Sequence, residues 1–327
     1  MILVTGGAGF IGSNIVARLC ADGHDVAVAD RLGKDNKWRN ISKRPLMDLI
    51  APEATLDWIA HHAGDLSGVV HMGAISATTE ADVDLIIAQN YHLSCSLWTL
   101  CAQHGLPFVY ASSAATYGDG TQGFDDDASP QALAALRPMN PYGWSKLLFD
   151  QFTARQVARS LPRPPQHVGL RFFNVYGPNE YHKGSMQSVI AHMFPAASTG
   201  NPVTLFRSHN PAWPDGGQKR DFIHVADCTD VVAWLLAHPD VSGLFNVGTG
   251  KARSFNDLAH ALFTALGRKA EILFTDTPEA IRDRYQYFTQ ARMDRLRQAG
   301  YTRPFTELEA GTADYVQRYL MQADRYA

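Results

Sequence analysis

Apolar residues follow two rhythms along this chain. Short runs rich in β-branched residues, Ile2 to Thr5, Val26 to Asp30, Val69 to Met72, Phe108 to Ser112 and Val168 to Phe173, read as strands. Between them lie stretches with helical spacing, from about Phe10 to Ala21 and from about Asp82 to Gln103. In the second stretch Leu85, Ile86, Leu93, Leu97 and Leu100 form one broad stripe, as a sheet-covering helix requires. Gly105 and Pro107 stop that helix and release the next strand. Strands separated by helices predict βαβ units and a parallel sheet.

After Gly177-Pro178 the texture changes, and loops with Pro, Asn, His and Trp dominate to about Asp221. Such loops suit a substrate lobe laid over the carboxyl ends of the strands, where open α/β sheets bind ligands. Phe222 to Val225 and Phe245 to Val247 read as strands returning to the sheet, so the second lobe is discontinuous. The expected division is residues 1–173 plus 219–250 for a nucleotide domain, and 174–218 plus 251–327 for a smaller α/β substrate domain.

Composition narrows the function classes. With 327 residues, 46% hydrophobic and 19% charged, the chain can bury a sizeable core. A formal charge of -3 gives no broad basic field, so neither nucleic acid nor an anionic membrane is an expected partner. No stretch offers the roughly 18 unbroken apolar residues of a spanning helix. Ile2-Leu3-Val4 runs at once into a glycine loop without a signal-peptide pattern, which gives a cytoplasmic expectation. Cys20, Cys95, Cys101 and Cys228 show no paired C-x-x-C spacing, so reduced thiols are expected and no metal site.

The first chemical motif is Gly6-Gly7-Ala8-Gly9-Phe10-Ile11-Gly12, placed between a strand and a helix. Glycines there permit positive φ and close approach, so a pyrophosphate can rest on backbone N–H groups at the positive end of a helix. With Asp30 ending the second strand at ribose distance, the pattern predicts a Rossmann-type doubly wound fold holding a nicotinamide dinucleotide. Asp30 alone favours a free 2′-hydroxyl and hence NAD. Arg31, with Lys34 and Lys37 behind it, can instead take a 2′-phosphate, or form no more than a solvated basic loop.

The second motif is Tyr142-Gly143-Trp144-Ser145-Lys146, which puts a phenol and an ammonium one helical turn apart. An ammonium there lowers the phenol's pKa, so that the phenolate can take a hydroxyl proton as hydride leaves the same carbon. Ser112-Ser113 end the strand before it, where a hydroxyl can hold the substrate oxygen.

Together these elements resemble the extended short-chain dehydrogenase/reductase superfamily over essentially the whole chain. Its sugar-nucleotide 4,6-dehydratases carry an acid pair directly after the Ser/Thr. This chain has Ala114-Ala115, and methyl groups move no protons, so dehydration is rejected. A closer resemblance is to the ADP-L-glycero-D-manno-heptose 6-epimerases. It rests on Ala111 to Gly118, Phe173-Asn174-Val175-Tyr176-Gly177-Pro178, His182-Lys183-Gly184-Ser185-Met186, Lys219-Arg220-Asp221-Phe222 and Arg284 to Ala291. The third and fifth segments are the discriminating ones.

That resemblance implies an epimerase supplying lipopolysaccharide inner-core heptose. Hydride leaves C6″, the resulting ketone rotates, and hydride returns to its opposite face, with Tyr142 and Lys183 as the two acid/base groups. Ser113 polarises the oxygen and Lys146 orients the nicotinamide ribose. The cofactor set is Gly6, Gly9, Phe10, Ile11, Gly12, Asp30, Arg31, Lys37, Ala74, Asn90, Lys146, Val175 and Lys183. Asn174, Ser185, His192, Phe206, Arg220 and Tyr285, with Ser113, meet the substrate, Arg220 at its pyrophosphate. The cofactor so implied is tightly held NADP, with NAD left open by Asp30 and by the lack of a further aligned lysine in Lys43 to Glu53. A ring-shaped homo-oligomer is also implied. The segment His209 to Gln218 looks longer than the family pattern. Taken singly, Lys183 fits a surface lysine, Arg220 a salt-bridge partner and His192 a capping histidine. Two rivals stay open: another sugar-nucleotide epimerase or reductase of the superfamily, with no use for Lys183, and a dinucleotide-sensing regulator without chemistry, which would have no use for Ser113, Tyr142 and Lys146 as a set.

Overall fold

The computed structural model describes residues 1–282 and 285–327. Twelve strands order it: β1 (Ile2–Thr5), β2 (Val26–Ala29), β3 (Asp48–Ile50), β4 (Gly68–His71), β5 (Phe108–Ser113), β6 (His167–Phe172), β7 (Asn174–Tyr176), β8 (Val203–Phe206), β9 (Lys219–His224), β10 (Gly243–Val247), β11 (Ala252–Ser254) and β12 (Ile272–Thr275). Seven form one parallel sheet in the order β3-β2-β1-β4-β5-β6-β10. The predicted doubly wound fold is therefore present. Every residue of β1, β2 and β4 is buried, as a sheet covered on both faces demands. Period-two alternation persists within these apolar strands: Ile2 and Val4 join the core beneath the helices Phe10–Ala21 and Val225–Ala237, while Leu3 joins Trp98, Phe108 and Phe149 on the other face.

One expectation is corrected here. The segment Phe222 to Val225 does not return to the main sheet; β9 pairs with β7 in parallel and with β11 antiparallel, in a separate three-stranded sheet. The reason is geometric. A strand has two edges, and those of β6 are filled by β5 and β10, so β9 takes its parallel partner from β7, which turns away just after β6. Only β10 returns as expected. A further core lies around Ile190, Phe194, Leu205, Phe222, Leu262 and Tyr315, under the helices Val189–Thr199 and Phe255–Ala265. The expected helix from Asp82 to Gln103 is continuous but contains a π-helical turn, Ile87–His92, and it ends on Gly105 at φ 65°. Among the described residues no helix is long and apolar enough to cross a membrane, and no His/Cys/Asp/Glu group is suited to a metal. The four cysteines are free thiols.

The strand order reverses at β1 and β4, and the loops leaving them touch. A buried bridge fixes that junction: His71 Nδ1 lies 2.6 Å from Thr5 Oγ1, and its Nε2 lies 2.9 Å from Ser94 Oγ. Burial, helped by the Lys146 charge, pushes His71 down to about 3. Its folded pKa lies below its unfolded value, so it contributes stability in full above pH ~6.5 that is lost as pH falls toward 3, at most about 5 kcal/mol. We expect the urea midpoint to fall as pH drops through this window and the slope to be reduced in His71→Gln. A remainder is expected from His224, which burial pushes down to about 4 despite Asp314. Equal slopes in the two proteins would contradict the assignment.

Candidate active site

At the crevice between the β1 and β4 loops opens a cavity of about 820 Å³. Its floor is the glycine loop. Gly6 adopts φ 65°, and a Cβ there would sit 2.5 Å from the Gly73 nitrogen; a Cβ on Gly12 would sit 2.1 Å from the Gly6 carbonyl oxygen. No side chain fits at either place, so backbone lines the cradle. The helix Phe10–Ala21 starts from Gly9 without a side-chain cap and without an acidic residue in its first turn, which leaves its N–H groups for an anion.

Asp30 is held at the end of β2 by the Ala8 N–H at 2.9 Å and the Arg31 N–H at 2.7 Å. Lys37 Nζ donates to it at 2.6 Å. The Asp30 carboxylate is thus neutralised by a cation on the same loop. Arg31 itself points outward and pairs with Glu53 at the rim.

On the opposite wall the helix Pro141–Ala158 begins at Asn140, whose side chain accepts from the Gly143 N–H at 2.8 Å. This cap, with proline in the first turn, places Tyr142 and Lys146 on one face toward the cavity. Lys146 Nζ donates to the Ala111 carbonyl at 2.8 Å. Burial lowers it to about 8, with Asp150 one turn on opposing the fall. Burial also raises Tyr142, and the Ser113 hydroxyl beside it favours the phenolate. The expected lowering by Lys146 is not met by the protein's own groups: only Ser113 opposes the burial of Tyr142, and the Lys146 ammonium is engaged with the Ala111 carbonyl. Ser113 Oγ accepts from the Ala115 N–H at 3.1 Å, which leaves its O–H to donate to Tyr142 or to a group bound in the cavity. Ala114 and Ala115 present only methyl groups there.

Lys183 enters from a different element, the 3₁₀ turn Tyr181–Met186. Its Nζ stands 5.1 Å from the centre of the Phe10 ring and makes no hydrogen bond or ion pair among the described residues. Burial lowers its pKa, against the pull of Glu180. The cavity lining thus includes a phenol and an amine carried by separate elements, the pair of groups a proton relay needs.

These features have known counterparts. Residues 2–248 match the NAD dependent epimerase/dehydratase family. Over 329 aligned positions the chain is 48% identical to the ADP-L-glycero-D-manno-heptose-6-epimerase of Nitratidesulfovibrio vulgaris (strain DP4), with 100% of both chains covered. The chain belongs to this epimerase family. Among solved structures, the Helicobacter pylori ADP-L-glycero-D-manno-heptose-6-epimerase superposes with a TM-score of 0.78 at 27% identity, covering 97% of this chain and 95% of that one. The UDP-glucose 4-epimerase of Thermus thermophilus, solved in complex with NAD, superposes with a TM-score of 0.74 at 27% identity over 97% of each chain. An enzyme with a nicotinamide dinucleotide site is the common denominator, and the side-chain-free cradle of Gly6 and Gly12 fits that group.

Within this epimerase the cavity brings together Gly6, Gly9, Phe10, Ile11, Gly12, Asp30, Lys37, Ala74, Ser113, Tyr142, Lys146, Asn174, Val175 and Lys183. Asn90 stands behind the wall, fully buried, and clamps the Ile75 backbone from both sides at 2.8 and 2.9 Å while donating to Ser145 Oγ at 3.0 Å. Phe206, Arg220 and Tyr285 cluster beyond Phe255, the Arg220 guanidinium lying 5.6 Å from the Tyr285 ring and 5.7 Å from the Phe255 ring. Arg220 also donates to the Lys219 and Gln286 carbonyls. His192 Nε2 lies 3.3 Å from the Ser185 carbonyl oxygen, and neither residue is among those lining the cavity. The long loop carries Trp213 over Tyr287, at 6.2 Å between ring centres, and the His209 N–H donates to the Tyr287 hydroxyl. Arg284, part of the discriminating segment, lies outside the described residues. Sequence reasoning missed His182, Gln187 and Gln286 as lining residues, although His182 and Gln286 lay inside motifs already singled out.

The steric argument at the floor gives a direct expectation. Gly12→Ala should weaken dinucleotide binding by at least roughly tenfold, about 1.4 kcal/mol, because the loop must open to admit the methyl. Fluorescence titration of the stripped protein measures it, and unchanged affinity would show that backbone contact is not what holds the pyrophosphate.

Proposed function

We propose that this epimerase inverts C6″ of ADP-D-glycero-D-manno-heptose to give ADP-L-glycero-D-manno-heptose through a transient 6″-ketone, with NADP retained throughout. The observation that carries the reading is the placement of Tyr142 and Lys183 on separate elements facing one cavity. When bound, a nicotinamide dinucleotide supplies a reversible hydride acceptor. The chain's own residues do the rest. Ser113 donates to the reacting oxygen, Tyr142 and Lys183 take and return its proton from two sides, and Lys146 holds the ribose at the cofactor's reactive end. A carbinol on an exocyclic carbon swings about one bond, so its oxygen meets a different proton-transfer group after the swing. Ala114 and Ala115 offer no acid for elimination, so the ketone's only exit is reduction.

Retained NADP is supported by the charge around Asp30. The ion pair with Lys37 removes the repulsion a bare carboxylate would exert on a 2′-phosphate, and Arg31 needs only to leave Glu53, at an exposed rim, to reach one. The nucleotide end of the substrate falls to the Phe206, Arg220 and Tyr285 cluster. We place the enzyme in the cytosol as a homo-oligomer, as the family resemblance implies.

The deciding experiment is incubation with ADP-D-glycero-D-manno-heptose and chromatographic separation of the two epimers. Tyr142→Phe and Lys183→Met should each retain dinucleotide and lose activity by about 10²–10⁴-fold. The double variant should be little worse than either, as for groups acting in one proton cycle. If Lys183→Met raises KM and spares kcat, Lys183 binds substrate and the two-group mechanism is wrong. For the cofactor, Arg31→Ala should lose NADP affinity far more than NAD affinity, and denatured enzyme should release NADP; stoichiometric NAD alone would overturn that choice.

A further inference from the structure

Glu180 is a buried carboxylate that the reaction as derived leaves unused. It stands three residues before Lys183 and is 0% exposed. Its two oxygens accept from the Ser188 main-chain N–H and from Ser188 Oγ, the latter at 2.6 Å. One side chain therefore ties together the two ends of the loop that carries Lys183 and Ser185. The main chain repeats the closure, since the Lys183 N–H donates to the Glu180 carbonyl at 3.0 Å. Just upstream, Asn179 has φ 74° and is fully buried, with its side chain donating to Ser13 Oγ at 3.0 Å. The loop is thus anchored to the glycine-loop helix before the carboxylate shapes it.

The surroundings assign the carboxylate's direction of action. Behind it lie Tyr181 and Tyr315, whose ionisation is pushed up by burial and by the neighbouring Glu180 charge. The Lys183 ammonium, three residues on, makes no hydrogen bond or ion pair among the described residues and stands 5.1 Å from the centre of the Phe10 ring. Burial raises Glu180, with the Ser188 donors and Lys183 opposing. His182, beside Lys183, faces Lys37, Asp35 and Asp30 across the cleft. Of these groups, Glu180 is the one acting directly on Lys183. A buried anion and a partly buried cation on one short loop offset part of each other's desolvation.

We propose that Glu180 is a positioning residue for Lys183: it closes the loop from 180 to 188 and provides the counter-charge against which the ammonium is held facing the substrate carbinol. This inference rests on Lys183 being the second proton-transfer group and deepens that reading. The test uses dinucleotide-loaded enzyme with ¹³C-methylated lysines, the Lys183 resonance being assigned by its loss in Lys183→Met. In Glu180→Gln the Lys183 titration midpoint should move to lower pH by roughly one unit. The kinetic limb that reports Lys183 should move with it, and kcat should fall more than KM changes. Ser188→Ala, which frees one arm of the carboxylate, should give a smaller shift in the same direction, and it carries the test if Glu180→Gln does not fold. Glu180→Asp should restore the midpoint toward that of the unmodified enzyme. An unchanged midpoint in a folded, dinucleotide-loaded Glu180→Gln or Ser188→Ala protein overturns the proposal. The resonance is read without any sugar, so failure of heptose epimerisation would overturn the substrate reading while this assignment stands or falls on the titration.

Discussion

The carboxamide of Asn40 holds the two halves of the active site together. Buried at the edge of the cleft, its Nδ2 donates to the Ala8 carbonyl of the glycine loop at 2.8 Å and to the Asn179 carbonyl at 3.1 Å, and lies 3.2 Å from His182 Nδ1. The pyrophosphate cradle and the Lys183 loop come from positions some 170 residues apart in the chain and have no covalent reason to keep a fixed separation. Asn14 adds a second tie by donating to the Pro178 carbonyl at 3.0 Å. The chain's last residues close over the same place, where the Tyr181 hydroxyl donates to the Arg325 carbonyl at 2.9 Å and the Ala327 N–H to Asn179 Oδ1 at 3.0 Å. The bonds of Asn40 and Asn14 satisfy buried polar groups that would otherwise cost about 1–3 kcal/mol each, so the geometry of the cleft is paid for locally.

From that frame the chemistry follows by position. Tyr142 and Lys146 ride on the first turns of one long helix, whose inner face is set by a buried charge network: Asp150 accepts from Arg171 at 2.9 and 3.0 Å and from Ser112 at 2.9 Å. Lys183 rides on a loop. On the proposed mechanism the helix supplies one proton-transfer group and the braced loop the other, and both line one cavity of about 820 Å³. On the proposed mechanism Ala114 and Ala115 at the β5 terminus matter as much as Lys183, because methyl groups there offer a ketone no acid that could expel a leaving group.

The parts legible in the sequence were those with a local cause. Apolar runs gave β1, β2, β4, β5, β6 and β10 because strands buried on both faces need no alternation to be recognised. The glycine loop, Asp30 and the Tyr142/Lys146 pair are short-range patterns with fixed offsets, and the family resemblance added Lys183. β3 was missed because it is a three-residue edge strand with two exposed positions and Leu49 in solvent. The separate sheet of β7, β9 and β11 was misplaced because pairing depends on which strand edges remain free, a property of the assembled fold. Asn40, Asn179, His71 and Glu180 carry no pattern of their own: their roles arise from partners that lie far away in sequence or from burial that only the packed lobes create. The outward turn of Arg31 has the same origin, since Glu53 is brought beside it by the parallel pairing of β3 with β2.

At the centre stands the claim that one carbon is oxidised and then reduced on its other face by the same hydride. The most direct measurement uses ADP-D-glycero-D-manno-heptose carrying deuterium at C6″, converted in ordinary water and followed by mass and NMR. Full retention of deuterium at C6″ of the L epimer is the expected result. Loss of the label to water would contradict internal hydride return and point instead to removal of that hydrogen as a proton.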